Sequence, residues 1–199
     1  MTPDLSILIC GTPSRARDKA LPLIEKLEKQ SLFLPVEILY LLDNKKRSVG
    51  GKRQALLDVA RGRYVAYVDD DDDVADDYID CLLSVIQAEE WTGKAPDVIT
   101  FDQACDIAGS FGIVRFGLGN PNNDFVTGRI TLRNAWHVCA WRRDLAQTAR
   151  FPDMMDGEDW QWAEQLCLKA QASAHIDKVL HLYRFNPLTT EASGKENPQ

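Results

Sequence analysis

The chain has 199 residues, 23 of them Lys or Arg against 30 Asp or Glu, for a net charge of −7. The length fits one domain with its own core, no apolar run approaches the ~20 residues of a membrane span, and the acidic balance disfavours tight nonspecific binding to nucleic acid without excluding nucleic acid as a partner. Cys10, Cys81, Cys105, Cys139 and Cys167 are widely spaced, form no C-x-x-C pair and sit among apolar neighbours, so they read as core residues rather than disulfide or zinc ligands. With an N-terminus that shows no basic start and no signal-length apolar run, this predicts a cytoplasmic protein.

In chain order, residues 5–10 form a β-rich run that ends at the turn Gly11-Thr12-Pro13. Leu21, Ile24 and Leu27 then recur at helical spacing, with Pro22 placed to lie in the first turn. Residues 36–42 predict a second strand ending on Asp43, and Gly50-Gly51 opens a helix through Leu56, Leu57 and Ala60 that Gly62 closes. Residues 64–68 form a third strand that runs straight into Asp69, Asp70, Asp71, Asp72 and Asp73. A helix starts near Asp76 or Asp77 with Tyr78, Ile79, Leu82, Leu83 and Ile86 inside, and residues 97–101 form a fourth strand. Alternating strands and helices imply a parallel sheet with crossover helices. Ligands of such sheets bind outside the carboxyl ends of the strands, where Thr12, Asp43 and the aspartate run fall. Between 103 and 133 the pattern loosens into short β-like pieces punctuated by glycine. Residues 136–141 predict a strand, 158–172 a helix, 178–185 a last strand and 187–199 a polar flexible tail.

Five adjacent carboxylates repel one another unless protons are retained or a cation binds. One or two acids suffice to cap the following helix; five exceed that need. A calcium loop fails because Val74 stands where Gly is required and a strand precedes. A P-loop fails because Gly51-Lys52 continues with Arg53, and no G-x-G-x-x-G follows the first strand. Two forms remain. Asp70-x-Asp72-x-Val74 resembles the nucleophile motif of haloacid-dehalogenase-like phosphatases, with Asp70 as nucleophile, although the nucleophile strand of that family usually comes first. Asp69-x-Asp71 has the D-x-D form of a glycosyltransferase metal site.

The order of motifs resembles the family 2 glycosyltransferases, which have the GT-A fold. The counterparts are the turn from Ser6 to Arg15, the strand ending at Asp43, Gly50-Gly-Lys-Arg53, the strand from Tyr64 into the aspartates, and Met155-Asp-Gly-Glu-Asp-Trp160. Ala140-Trp-Arg-Arg-Asp-Leu145 followed by Phe151 also looks like the family's approach to its Glu-Asp pair, and the match spans about residues 5–185. Gln54 departs from the Asn often found there, Asp70 and Asp73 from commoner neutral residues. The resemblance implies an α/β, Rossmann-like, mostly parallel central sheet flanked by helices, with a small mixed β region on the acceptor side. It divides a single domain, 1–186, into a nucleotide-binding part to about 102 and an acceptor and catalytic part from about 103.

It further implies an inverting transfer from a nucleotide-diphosphate sugar, UDP-linked by the match at Asp43, to an acceptor hydroxyl, assisted by Mn²⁺ or Mg²⁺. Asp71 is the direct metal ligand, Asp69 contacts ribose or a metal-bound water, and His181 is a further ligand candidate. Asp159 is the general base and Glu158 supports it; an acidic cap on the helix is the alternative for both. Donor contacts are assigned to Thr12, Pro13, Arg15, Asp43, Asp69, Asp70, Asp72, Trp160 and Arg184. Lys52 and Arg53 either hold the base or diphosphate or are solvated helix charges. His137 and His175 read as structural, Trp136 and Trp141 as core. The acceptor stays open among saccharide, protein, lipid and modified nucleobase, with its contacts expected in 103–133. A non-catalytic nucleotide-sugar-binding module is the remaining alternative.

Overall fold

Every residue of the first strand is buried, because strand side chains alternate between two faces and helices cover both. The computed structural model describes residues 2–185, without the side chains of 89–92; the expected tail at 187–199 lies outside them. In order, the elements are β1 (Leu5–Gly11), a π-helical turn (Ala16–Ala20) running into α1 (Leu21–Gln30), β2 (Val36–Leu42), α2 (Val49–Val59), β3 (Tyr64–Tyr67), β4 (Asp73–Val74) and α3 (Tyr78–Thr92). They continue with β5 (Val98–Ile107), β6 (Ser110–Phe116), β7 (Ile130–Arg133), β8 (Ala140–Arg142), α4 (Arg143–Ala146), α5 (Glu158–Cys167) and β9 (Ser173–Phe185).

The sheet runs β2-β1-β3-β8-β5-β6-β7, with β9 on the other edge of β5 and β4 paired to β9. Strands β2, β1 and β3 are parallel, as are β5 and β9, so most paired residues are parallel. Strand β8 is antiparallel to both neighbours, and β4 to β9. Leu8, Cys10, Val65 and Tyr67 pack on one face with Leu57 of α2 and Trp162 of α5. Ile7, Ile9 and Ala66 pack on the other with Leu27 of α1 and Leu82 of α3. All five cysteines are free, with Cys10, Cys105 and Cys139 buried. No helix of the described residues is long and apolar enough to cross a membrane.

Four expectations need correction. The region 103–133 is irregular only over 117–129; before it β5 continues to Ile107 and forms a hairpin with β6, turned by Ala108 and Gly109, both at positive φ. Gly109 alone signals that turn in the sequence, since Ala is rare in this conformation. The strand expected at 136–141 is confined to Ala140–Arg142; Trp136 to Cys139 form a turn closed by the Cys139 N–H on the Trp136 carbonyl at 3.1 Å. Helix α5 stops at Cys167, because Asp97 Oδ2 captures the Gln171 and Ala172 N–H groups at 2.6 and 3.0 Å and draws the backbone out. Strand β9 starts at Ser173 rather than 178, following the full length of β5.

The two glycines that open α2 differ in role. A Cβ on Gly50 would lie 1.9 Å from the Pro152 carbonyl oxygen, whereas one on Gly51 would meet only side-chain atoms of Ser48 and Asp153 at 3.2 and 3.3 Å. Helix α2 therefore approaches the loop before α5 through Gly50. Gly50→Ala is expected to cost about 1–3 kcal/mol of stability and Gly51→Ala less than about 1 kcal/mol, read from urea midpoints; equal effects would contradict this contact.

Candidate active site

Strands β1, β2 and β3 are parallel, so their carboxyl ends lie together. A cavity of about 200 Å³ opens beside the ends of β1 and β3. Thr12 and Arg15 enter it from the loop after β1, Lys52 and Arg53 from α2, and Asp69, Asp70 and Asp71 from the end of β3. Glu158 and Asp159 enter from the first turn of α5, Arg184 from β9. Pro13, Asp43, Asp72, Trp160 and His181 are not among the residues of its wall.

The structure spreads the aspartates over several partners, with Arg15 shared by Asp70 and Asp71. Asp69 accepts from Arg53 Nη2 at 2.8 Å. Burial opposes its ionisation, but the Arg53 guanidinium, helped by His137, holds its carboxyl well below the usual range. Asp70 is fully buried; it accepts from the Thr12 N–H at 2.7 Å and lies 2.7 Å from Arg15 Nη2. Burial outweighs both and pushes it up to about 6. Asp71 lies 2.5 Å from Arg15 Nη1 and is also raised, by burial foremost. Asp72 accepts the Arg184 N–H at 3.3 Å and is raised well above its usual value by burial and then by Asp69 and Asp71. Asp73 pairs with Lys26 at 3.1 Å.

Lys52 and Arg53 are each only 4 % exposed, so they are not solvated helix charges. Lys52 Nζ donates to the Gly11 carbonyl at 2.8 Å and lies 3.8 Å from Asp43 Oδ1. Asp43 Oδ2 accepts the Arg47 N–H at 3.1 Å, which places Asp43 behind Lys52. Arg53 forks between Asp69 and Glu158, donating from Nε to Glu158 Oε1 at 3.0 Å. Its guanidinium lies 5.4 Å from the Tyr67 ring centroid, and Nη1 has no hydrogen-bond partner among the described residues. Gln54 Oε1 accepts the Phe151 N–H at 2.9 Å, tying α2 to the approach to α5.

The Glu-Asp pair occupies the first turn of α5 behind Gly157 at φ 77°. Asp159 Oδ2 accepts from the Trp136 indole at 3.2 Å and faces His137 Nδ1 at 3.2 Å. His137 Nε2 is 3.7 Å from Asp69 Oδ2. Trp136 and His137, read from the sequence as core and structural, thus join the site; their position depends on a turn that the sequence does not announce. Trp141 is core as expected, at 0 % exposure. Trp160 is an exposed neighbour of the cavity rather than part of its wall.

His181 is fully buried and stands 3.6 Å from Asp72 Oδ2, so β9 brings it to Asp72 rather than into the cavity with Asp71. Burial lowers its imidazole to about 4. Among the described residues, the only set of three side chains whose ligand atoms converge within 4.8 Å is Asp102, His175 and Asp177. Arg115 bonds both acids of that set at 2.7 Å. His175 therefore lies apart from the aspartate run.

No family model and no curated protein matches the chain by sequence. Solved structures of S. aureus TarS match by shape. TarS 1–349 has a TM-score of 0.65 at 16 % identity, covering 91 % of this chain and 60 % of that one. TarS 1–349 in complex with UDP-GlcNAc gives 0.60 at 13 %, covering 92 % and 59 %. A further TarS structure gives 0.62 at 14 %, covering 92 % of this chain but 37 % of that one. The chain thus spans well under two thirds of these proteins, and the likeness establishes the mixed α/β fold.

Arg53 leaves a direct test. Removing one partner of a buried charge network strands the others, so Arg53→Met is expected to cost about 3–5 kcal/mol in chemical denaturation. Arg53→Lys, which keeps the charge but loses the fork, should cost less. A loss below about 1 kcal/mol for Arg53→Met would place Asp69 and Glu158 outside its control.

Proposed function

We propose that this chain is a glycosyltransferase that moves a sugar from a nucleoside-diphosphate sugar, UDP-linked, to an acceptor hydroxyl with inversion. The observation that carries this is one cavity in which the D-x-D aspartates, two buried cations and the Glu158-Asp159 pair meet. The fold around it is shared with a protein solved in complex with UDP-GlcNAc. Arg53 Nη1, a buried donor without a partner, suits a diphosphate oxygen, since buried donors are seldom left unsatisfied. Asp43, outside the cavity wall beside Lys52, keeps a buried Oδ1 with no hydrogen-bond partner among the described residues, which suits the N–H of a uracil edge.

The hard carboxylate oxygens of Asp71 and Asp69 suit Mn²⁺ or Mg²⁺, which bind through one or two carboxylates and complete their shell with substrate phosphates. When bound, the ion supplies charge stabilisation for the departing diphosphate. Arg15, paired to both Asp70 and Asp71, holds these acids at the cavity wall. Asp159 takes the proton of the acceptor hydroxyl as that oxygen attacks the anomeric carbon. The bond from that carbon to the diphosphate oxygen breaks on the opposite face, and UDP departs with the electron pair. Glu158 holds Arg53 and through it Asp69, so it supports the site without touching the proton.

A second hollow of about 730 Å³ lies among β5, β6, β7 and β9 and shares Tyr183 and Arg184 with the catalytic cavity. Its apolar wall, with Phe111 and Ile130, suits the body of an acceptor whose hydroxyl reaches Asp159. The competing phosphatase reading requires Asp70 as an open nucleophile, and its burial under Thr12 and Arg15 speaks against that.

Nucleotide release from a UDP-sugar, with the product anomer read by NMR, separates the two. Asp159→Asn and Asp71→Asn are expected to lower turnover by about 10²-fold or more, with Asp70→Asn milder and the product inverted. Release of phosphate from simple phosphoesters, abolished by Asp70→Asn, would overturn the proposal.

A further inference from the structure

Asp159 projects from the first turn of a helix whose N-cap is glycine and offers no side-chain cap, so nothing in its own helix beyond the next backbone N–H fixes its carboxylate plane. The geometry points to His137, together with Trp136, as the positioning residues that orient this carboxylate toward the acceptor. The inference rests on Asp159 as the base.

Both rings converge on one oxygen. Trp136 Nε1 donates to Asp159 Oδ2 at 3.2 Å, and His137 Nδ1 stands 3.2 Å from the same atom. Oδ1 accepts the Trp160 N–H at 2.7 Å. His137 is 5 % exposed, its ring nitrogens make no hydrogen bond among the described residues, and their near neighbours are the carboxylates of Asp159 and Asp69. Asp159 is in the cavity wall and His137 is not, so the imidazole acts from behind the carboxylate rather than on substrate.

The support for the rings is itself rigid. The Trp136 carbonyl accepts the Cys139 N–H at 3.1 Å and the indole N–H of fully buried Trp141 at 2.8 Å. Strand β8 pairs Trp141 with Val65 and Arg142 with Tyr64 of β3. Extending that antiparallel register sets residue 137 opposite residue 69, and His137 Nε2 lies 3.7 Å from Asp69 Oδ2. The contacts close into a ring: Asp159 to His137, His137 to Asp69, Asp69 to Arg53, Arg53 to Glu158, and Glu158 back to Asp159 along the chain. Through His137 the donor-side aspartate and the acceptor-side base share one frame.

Steady-state nucleotide release from a UDP-sugar, measured on His137→Phe, His137→Gln, Trp136→Phe and Asp159→Asn, tests this. A misplaced catalytic group can cost about 10²-fold, so His137→Phe is expected to lower kcat about 10- to 100-fold while the donor KM stays within about threefold. His137→Gln, which keeps a donor, should recover part of the loss. Trp136→Phe removes the indole donor to Oδ2 and should show the same split, and it decides the matter if His137→Phe does not fold. A kcat within about twofold of wild type for His137→Phe or Trp136→Phe, with Asp159→Asn inactive, would overturn the positioning role alone. Full turnover by Asp159→Asn would instead overturn the base assignment, and this inference with it.

Discussion

The guanidinium of Arg53 is the joint on which the site turns. It arrives on α2, bonds Asp69 at the end of β3 and Glu158 at the start of α5, and is 4 % exposed. A charge so deep is tolerated only when paired and hydrogen-bonded, because its desolvation otherwise costs several kcal/mol. The neighbouring elements α2 and β3 and the distant α5 must therefore dock together for any of the three charges to be accommodated. Tyr67 supports the arrangement from beneath, its ring under the guanidinium and its hydroxyl donating to the Arg53 carbonyl at 2.8 Å. Gly50 supports it from the side by letting α2 approach the 152–154 loop. The β3 side and the α5 side of the cavity are thus joined by one interaction.

The same logic accounts for five acids in a row. Arg53 meets Asp69, Arg15 is shared by Asp70 and Asp71 with Thr12 added on Asp70, the Arg184 backbone meets Asp72, and Lys26 meets Asp73. Repulsion is relieved partly by these partners and partly by environments that raise Asp70, Asp71 and Asp72. Neighbouring carboxylates in different surroundings take different roles. Asp69, Asp70 and Asp71 all line the cavity, Asp70 buried against Thr12 and Arg15, and Asp72 turns toward β9.

Much of this was legible in the sequence. The buried runs of β1 and β3 and the inner face of α3 follow from apolar pattern alone, and Thr12, Asp43 and the aspartate run fell where strands end. What was not legible depends on long-range pairing. Trp136 and His137 looked like part of a strand because apolar residues surround them, yet β8 is only three residues long and the turn before it sets their position. The hairpin at Ala108 hid because alanine adopts the required φ only under tertiary constraint. His181 lies on β9, and only the register of β9 against β4, which pairs Val74 with His181, decides that it meets Asp72.

The central claim is a nucleotide-sugar site completed by a divalent cation, and the most direct test is a thermal-shift titration of the intact chain. UDP-, GDP- and TDP-sugars are compared with and without Mn²⁺. A ligand at a hundredfold excess over its Kd adds about 2.7 kcal/mol of stability. For a chain of this size that is worth several degrees in Tm. The account predicts that a UDP-sugar raises Tm in the presence of Mn²⁺, that omitting the metal removes most of the rise, and that Asp71→Asn abolishes it. No shift with any nucleotide sugar, with or without metal, would contradict it.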